Sequence, residues 1–336
     1  MEHIAEFSYW TFNGYTEADV DAAFDGLDNF GHNLNLRFKF RDRSFQLTFG
    51  KQCDKVSHIA TVIVHYMQSI LQFDPDLKGD IVFSLEDSID ALGSDRPLAA
   101  AARRAPFLTF GKTTQEHYSF LVPDFDFLLA DGYLVDYENL DKVGEIASWD
   151  KKKSTAFWRG ASTGFKLEAD SWQKNPRIKL ALLSKKLDNP DFLDAYLSSL
   201  VQCPEETKSK ITEADLVRPW ADFPIFLLYK YLIDIDGNAC AWRSFFLKMY
   251  SNSVVLKVES PNIEWCYDRI VPWVHYIPVS NNLSDLEEKI HWAHAHDEQC
   301  RAISLRATEV MKEIQKEDPV TYGAKLIRRI FECQRW

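Results

Sequence analysis

Apolar and polar residues alternate through NLNLRFKFRDRSFQLTFG, residues 33–50. A period of two predicts extended strands with one face buried. Just before it, TEADVDAAFDGLDNF (16–30) reads as a short helix with Thr16 as its N-cap. After it, HIATVIVHYMQSILQF (58–73) carries apolar residues at helical spacing, and GDIVFSLED (79–87) reads as a strand ending in two acids. The rhythm of strand, helix and strand returns later in the chain. TAFWRG (155–160) predicts a strand running into a glycine turn, RIKLALLSKKL (177–187) a helix, and FPIFLLYKYLIDIDG (223–237) a helix or strand into a turn. WRSFFLKMYS (242–251) predicts a helix, SVVLKVE (253–259) a strand, NIEWCYDRIV (262–271) a helix and VHYIPV (274–279) a strand. A long helical region follows over residues 283–314, with Ser284 and Glu287 spaced as a capping box. Such alternation in both halves predicts two doubly wound α/β lobes. The boundary between them is expected near the lysine run at 151–153.

Composition narrows the class. Apolar residues form 46 % of the 336, which supports a large core. The 46 aromatic rings (10 Trp, 13 Tyr and 23 Phe) are first of all core material, and some suit the apolar faces of sugars. A net charge of −11 argues against a nucleic-acid partner, and an anionic nucleotide would need a basic pocket inside this acidic chain. The six cysteines (53, 203, 240, 266, 300 and 333) show neither a C-x-x-C pair nor zinc spacing. No leader-like or membrane-spanning pattern is read, so the cysteines are expected to be reduced thiols in a cytoplasm.

Several segments carry chemistry. Asp234 and Asp236 in YKYLIDIDGNACAWR (229–243) fall on one face of a strand and so are candidates for a single divalent ion. In AFWRGASTGFK (156–166), Arg159 precedes Gly160, Ser162, Thr163 and Gly164. Small residues and hydroxyls there suit a phosphate, and the arginine supplies a forked donor; an ordinary glycine turn is the competing reading. Arg243 and Ser244 open the next predicted helix, where a second arginine would complete a pyrophosphate clamp. Glu259 and Ser260 follow a strand at its carboxyl end, the place where open α/β sheets bind ligands. Lys257 and Glu259 also read simply as strand-end charges in solvent. His291, His294 and His296 lack a carboxylate pattern for a metal, and His275 reads as a core or cleft histidine.

Three stretches, FWRGASTG…RIKLALLSKK, YKYLIDIDGNACAWRSFFLKMYSNSVVLKVES and WCYDRIVPWVHYIPVSNNLSDLEEKIHWAHAHDE, together resemble glycosyltransferase family 90. That group holds capsule-associated xylosyltransferases and protein O-glucosyltransferases. APFLTFGKTTQEHYSFLVPDFDF (105–127) resembles the segment ahead of the family's domain junction, and the resemblance spans roughly residues 80 to 315. It implies a GT-B-like α/β fold of two Rossmann-like lobes with a cleft between them. It also implies an inverting, metal-independent transfer from a UDP-sugar such as UDP-glucose or UDP-xylose, with no cofactor. On that reading Asp234 and Asp236 end a strand and hold no metal.

The resemblance places the base that deprotonates the acceptor hydroxyl at Asp87, with its neighbour Glu86 as the alternative and Asp90 as an outsider. An inverting transfer needs one carboxylate facing the acceptor hydroxyl. This chain departs from the family pattern there, with Glu86 before the aspartate and Ile89 two residues after it; two adjacent acids would raise each other's proton affinity if both were buried. Arg159, Gly160, Ser162, Thr163, Arg243, Ser244, Glu259 and Ser260 are the implied UDP-sugar contacts, and Phe110 and Lys112 match a segment near the nucleotide-sugar. Arg177 falls near a family arginine but at a longer spacing, and Trp265 and Tyr267 read as packing before sugar contacts. The expected organisation is an acceptor lobe over residues 1–150, a UDP-sugar lobe over 151–300 and C-terminal helices over 301–336 that pack on the first lobe. The expected setting is a cytoplasmic enzyme that glycosylates a lipopolysaccharide or other surface glycan or glycolipid, with peripheral contact to the inner membrane face compatible with that role. A non-catalytic nucleotide-sugar or glycan-binding protein on the same scaffold is the rival reading.

Overall fold

The alternating stretch forms a hairpin whose turn residues, Asp42 and Arg43, both take positive φ (49° and 58°). That backbone suits the right-handed twist of paired strands. In the computed structural model the described residues are 3–29, 33–89, 97–144, 148–164 and 170–336. Along the chain come α1 (Ile4–Asn13), α2 (Glu17–Asn29), β1 (Asn35–Arg41), β2 (Ser44–Phe49), α3 (Ser57–Phe73), β3 (Gly79–Ser84), α4 (Pro97–Ala102), β4 (Phe107–Thr109), β5 (Gly111–Thr113), β6 (Phe120–Leu121) and α5 (Phe125–Leu129). Next are α6 (Leu134–Gly144), β7 (Lys153–Ala161), α7 (Pro176–Leu187), β8 (Leu193–Ser199), α8 (Glu205–Glu213), α9 (Phe223–Phe226), β9 (Tyr229–Asp234), α10 (Arg243–Tyr250) and β10 (Val254–Val258). The chain ends with β11 (Asn262–Glu264), β12 (Ile277–Val279), α11 (Leu286–Ala295), α12 (Asp297–Gln315) and α13 (Pro319–Phe331). The described chain forms two compact units. One comprises residues 1–132, 261–267 and 316–336, the other residues 133–260 and 268–315.

In the first unit the sheet order is β2-β1-β3-β4-β6. β1 runs antiparallel to both β2 and β3, while β3, β4 and β6 are parallel. Leu36, Phe38, Phe40, Ile81, Phe83 and Phe107 are fully buried, so the β1 alternation and the continuous apolar run of β3 both reach core. Thr16 caps α2 as expected: its Oγ1 accepts from Asp19 N (3.2 Å), and Asp19 Oδ2 accepts from Thr16 N (2.8 Å). Helix α13 packs along α3 within this unit.

The second unit holds an all-parallel sheet, β12-β10-β9-β7-β8. Numbered within the sheet, that order is the doubly wound 2-1-3-4-5 read from the other edge. The order reverses between β7 and β9, and ligands of such sheets bind at the carboxyl ends of those two strands. One face is covered by a core that includes Trp158, Ile178, Ile233, Leu256 and Ile290; on the other, Phe157, Phe226, Tyr229 and Leu232 form a separate cluster. The α/β class therefore stands.

Two local expectations give way. Residues 262–271 form no helix: Asn262–Glu264 pair antiparallel with β5, and Tyr267–Arg269 make a single 3-10 turn. Pro261 precedes the stretch, and Ile263 finds a strand partner in Lys112, so tertiary pairing overrides local helical spacing. The long C-terminal helical region breaks at His296, and α11 starts one residue after Asp285 with no capping box at Ser284. Asp285 instead accepts the backbone N–H of Ser280 (2.8 Å).

Candidate functional site

Asp234 is the last residue of β9 and stands directly opposite Lys257 of β10 in the parallel register. Lys248 reaches the same carboxylate from α10, the helix that follows β9 in the chain. Its Nζ donates to Asp234 Oδ1 at 2.9 Å, while Lys257 Nζ donates to Oδ2 at 3.1 Å. Asp234 is fully buried. Burial raises its pKa, but the two ammonium groups overcome that and hold it down at about 2; burial pushes the Lys248 pKa down, while the carboxylate of Asp234 helps raise that of Lys257. Both oxygens of Asp234 are thus engaged by cations of its own chain. Asp236, two residues on and past the strand end, accepts from Ser260 Oγ instead. Lys257, a strand-end charge by sequence, pairs with the buried Asp234 and keeps its side chain only 13 % exposed.

Arg177, on the first turn of α7, ties the switch point together. It donates from Nη1 to Ala161 O (3.1 Å) and Thr163 Oγ1 (2.7 Å), both at the end of β7. It also donates from Nε to Asp236 O (2.9 Å) and from Nη2 to Ile235 O (3.1 Å), both just past β9. Burial lowers its pKa to about 10, so it stays charged near neutral pH. Asn175 caps α7 through the backbone N–H groups of Arg177 and Ile178, and its Nδ2 donates to Thr163 O (3.2 Å). Gly237 is required here: a Cβ would lie 2.7 Å from Thr163 Oγ1 and 3.1 Å from Arg177 Nη2. Gly164 takes φ +137°, and its N–H donates to Asn238 Oδ1 (3.3 Å).

The carboxyl ends of β7, β9 and β10 therefore gather Thr163, Gly164, Arg177, Asp236, Asn238 and Ser260. With Lys248, Lys257 and Asp234 beside them, the cluster holds three cations (Arg177, Lys248, Lys257) against two carboxylates (Asp234, Asp236). In an acidic chain this is a local excess of positive charge at the position where a parallel sheet binds anions.

The other expected donor-site residues lie around it in the same unit. Ser162 is buried, and its Oγ donates to Val201 O (2.8 Å) while accepting from Val201 N (2.9 Å), which ties the end of β7 to the loop after β8. Gly160 packs on Trp158, whose ring leaves no room for a Cβ. Arg159 turns to the opposite face from Trp158, where it donates to Asp194 Oδ1 (2.7 Å) and Asp194 O (3.0 Å) and lies over Phe157 and Tyr196. Arg243 opens α10, half exposed, and its Nε and Nη2 clasp Asp136 at 2.9 and 2.5 Å. Ser244 and Glu259 are exposed, and Glu259 N donates to Val279 O (2.8 Å).

In the first unit, Asp87 is exposed and Glu86 partly buried in the turn that follows β3. Glu86 N donates to Ser84 Oγ (3.3 Å). Asp90 lies outside the described residues. Lys112 is buried, its Nζ donating to Glu6 and to Ser119 O. Phe110 packs on Phe83 and Phe125, and Trp265 is buried against Phe127 and Tyr322. Tyr267 donates to Glu264 (3.0 Å). In the second unit, His275 Nδ1 accepts from Val271 N (2.9 Å), His291 and His294 lie on the Phe192 ring, and His296 stacks on Trp292. Among the described residues no group of three His, Cys, Asp or Glu is arranged to hold a metal ion, and no helix is long and apolar enough to cross a membrane.

Lys248, Asn175, Asn238 and Asp136 were not singled out by sequence. The Asn-Pro-Arg run at 175–177 does carry a readable signal, an N-cap followed by proline in the first turn.

The family model described as "Glycosyl transferase family 90" matches residues 33–335. Protein O-glucosyltransferase 3 of Rattus norvegicus is 38 % identical over 157 residues, which cover 47 % of this chain and 27 % of the rat protein. Protein O-glucosyltransferase 1 of Mus musculus is 26 % identical over 298 residues, 83 % of this chain and 66 % of the mouse protein. The chain thus spans about a quarter of the rat protein and about two thirds of the mouse one. Among solved structures, Anabaena Alr3699/HepE in complex with UDP-glucose is similar at a TM-score of 0.45 and 11 % identity, covering 80 % of this chain and 75 % of that one.

Proposed function

The chain belongs to glycosyl transferase family 90, and we propose that it moves a sugar from a UDP-sugar to a hydroxyl of a glycan or glycolipid acceptor, with inversion and without a metal. The observation that carries this reading is the excess of positive charge at the switch point of the parallel sheet, where Arg177 ties the strand ends together. A nucleoside diphosphate is an anion of the kind such a site favours. Thr163, Gly164 and Asn238 are the near contacts for its phosphates. Arg243, at the first turn of α10 and bound to Asp136 through Nε and Nη2, adds positive charge near the leaving UDP.

Glucose is the sugar in the names of the rat and mouse relatives, and xylose is the second donor of the family reading. Metal independence is supported by Asp234, whose oxygens are both taken by lysines. The acceptor base is Asp87: its exposure in the turn after β3 leaves the carboxylate accessible to an incoming hydroxyl. All six cysteines are free thiols, which suits the reducing cytoplasm.

A donor panel tests this. Purified protein is given UDP-glucose, UDP-xylose, UDP-galactose or UDP-N-acetylglucosamine, with and without chelator, and released UDP is measured. Release from one donor, unchanged by chelator, is expected. Failure to bind any UDP-sugar contradicts the proposal, and chelator-sensitive release contradicts its metal-independent form.

A further inference from the structure

The first unit contains a cavity that the donor chemistry does not use. β2 is the edge strand of its sheet, and Phe45, Leu47 and Phe49 alternate along one face of it. The first turns of α3 cover that face incompletely. Leu47 and Phe49 of β2 and Ala60 and Val64 of α3 line a cavity of about 520 Å³, with the exposed Lys51, Asp54, Ser57, Thr61 and His65 also on its wall. That volume is within the range of small-ligand sites, and the wall is predominantly apolar. The buried thiol of Cys53, also on the wall, is directed to Asn35 O (3.1 Å). Phe49 is 55 % exposed although it sits in a strand, which is costly unless something else covers it.

Strand register locates this cavity relative to the candidate base. Gly50, on the cavity wall, donates its N–H to Asn35 O (2.9 Å), and Asn35 pairs with Ser84 of β3. β2 and β3 both run antiparallel to β1, so their carboxyl ends lie at the same end of the sheet. Two strand spacings, about 10 Å, separate Gly50 from Ser84. Asp87 follows Ser84 by three residues at that same end. A molecule with its hydroxyl at Asp87 could thus lay an apolar tail of modest length into the cavity.

We infer that this cavity binds a single alkyl or acyl chain of the acceptor, so that the acceptor is amphipathic: a sugar headgroup on a hydrocarbon tail. The inference rests on the proposal that Asp87 receives the acceptor. A flexible chain matches a slot between a strand face and a helix, walled by Leu, Val, Ala and Phe, with the charges of Lys51 and Asp54 on the same wall. The exposed hydroxyls and imidazole of the wall are suited to the polar headgroup junction.

Binding is tested directly with the fluorescent apolar probe N-phenyl-1-naphthylamine. Octyl glucoside, kept below its micellar concentration, is expected to displace the probe and methyl glucoside is not. Thr61→Trp, an exposed position that fills the cavity from its open side, is expected to lose both probe binding and displacement. Gln68→Trp, exposed further along α3, is expected to keep both. Turnover is then read as UDP release with methyl, butyl and octyl glucosides, where each added methylene that enters the cavity is expected to raise the rate at low acceptor roughly three- to fourfold. Absence of displacement, or displacement that survives in Thr61→Trp, overturns the cavity as an alkyl site. Displacement with no chain-length effect on UDP release overturns its link to the acceptor. A protein that binds octyl glucoside through the cavity but binds no UDP-sugar sinks the transferase proposal and leaves the cavity assignment in place.

Discussion

Two pairs of acids lie at the ends of two strands in this protein, and they differ in burial. At the end of β9, Asp234 is enclosed by Lys248 and Lys257, and Asp236 is bonded to Ser260. In the turn after β3, Asp87 is exposed and Glu86 only partly covered. The first pair is committed to holding the end of the parallel sheet, and in the second pair Asp87 is exposed to solvent. Spacing alone suggests a metal site for Asp234 and Asp236, and local sequence suggests crowding for Glu86 and Asp87. What each carboxylate can do depends on which cations the fold brings to it, and those come from elsewhere in the chain.

The contrast can be broken most severely at Asp234. Replacing it with Ala leaves two buried ammonium groups facing each other without their shared counter-ion, and is expected to destabilise the fold by about 3–5 kcal/mol. Chemical denaturation measures this; a loss under about 1 kcal/mol would contradict the structural role. Its pH dependence has a definite sign. The folded pKa, about 2, lies below the ordinary carboxylate value, so the stabilisation is present above about pH 4 and is lost as pH falls toward 2. Asp234→Asn should flatten that acid limb of the stability curve.

A smaller effect is expected at Arg243. Arg243→Ala removes a half-exposed cation at the start of α10 without disturbing the core, and a charge-assisted bond lost to the donor is worth about 1.5–3 kcal/mol. UDP-sugar affinity, measured by calorimetry, should fall roughly 10- to 150-fold with little change in melting temperature. Unchanged affinity would place the pyrophosphate elsewhere.

A third effect sharpens the comparison from the other end of the same sheet. Lys152, just before β7, is buried with its Nζ donating to Ser251 O and Ser253 Oγ, and burial lowers its pKa to about 7. Here a cation is buried on neutral acceptors, unlike Lys248 and Lys257. Below pH 7 the folded state must keep a buried charge, so this group's contribution to stability rises as pH climbs from about 7 to its unfolded value of about 10.4. The stability difference between wild type and Lys152→Met should shift in favour of wild type across that window, read from melting temperatures. A pH-independent difference would show that the amine is not neutralised by burial.

Much of this is legible in sequence, and the misses have physical causes. The strand in residues 79–84, the Thr16 cap and the α/β alternation follow from local periodicity and capping chemistry. The switch-point cluster is only partly readable. Arg177 lies well beyond the glycine turn in sequence, and only the crossover of α7 brings it back to Ala161 and Thr163. Lys257 reads as a solvent charge because alternation does not show that α10 covers that face of the sheet. The stretch 262–271 reads as a helix because its strand partner, residues 111–113, is some 150 residues away. Asp87 stands out through family resemblance and not through spacing, since two adjacent acids after a strand have no distinctive pattern of their own.

The most direct test of the contrast is Asp87→Asn, assayed for UDP release and, separately, for UDP-sugar binding and thermal stability. If Asp87 is the acceptor base, turnover drops by about 10²- to 10⁴-fold while donor affinity and melting temperature stay close to wild type. If turnover survives in Asp87→Asn and is lost in Glu86→Gln, the base is the neighbouring acid. If neither substitution slows UDP release, the accessible pair has no part in the chemistry and the account of the first unit is wrong.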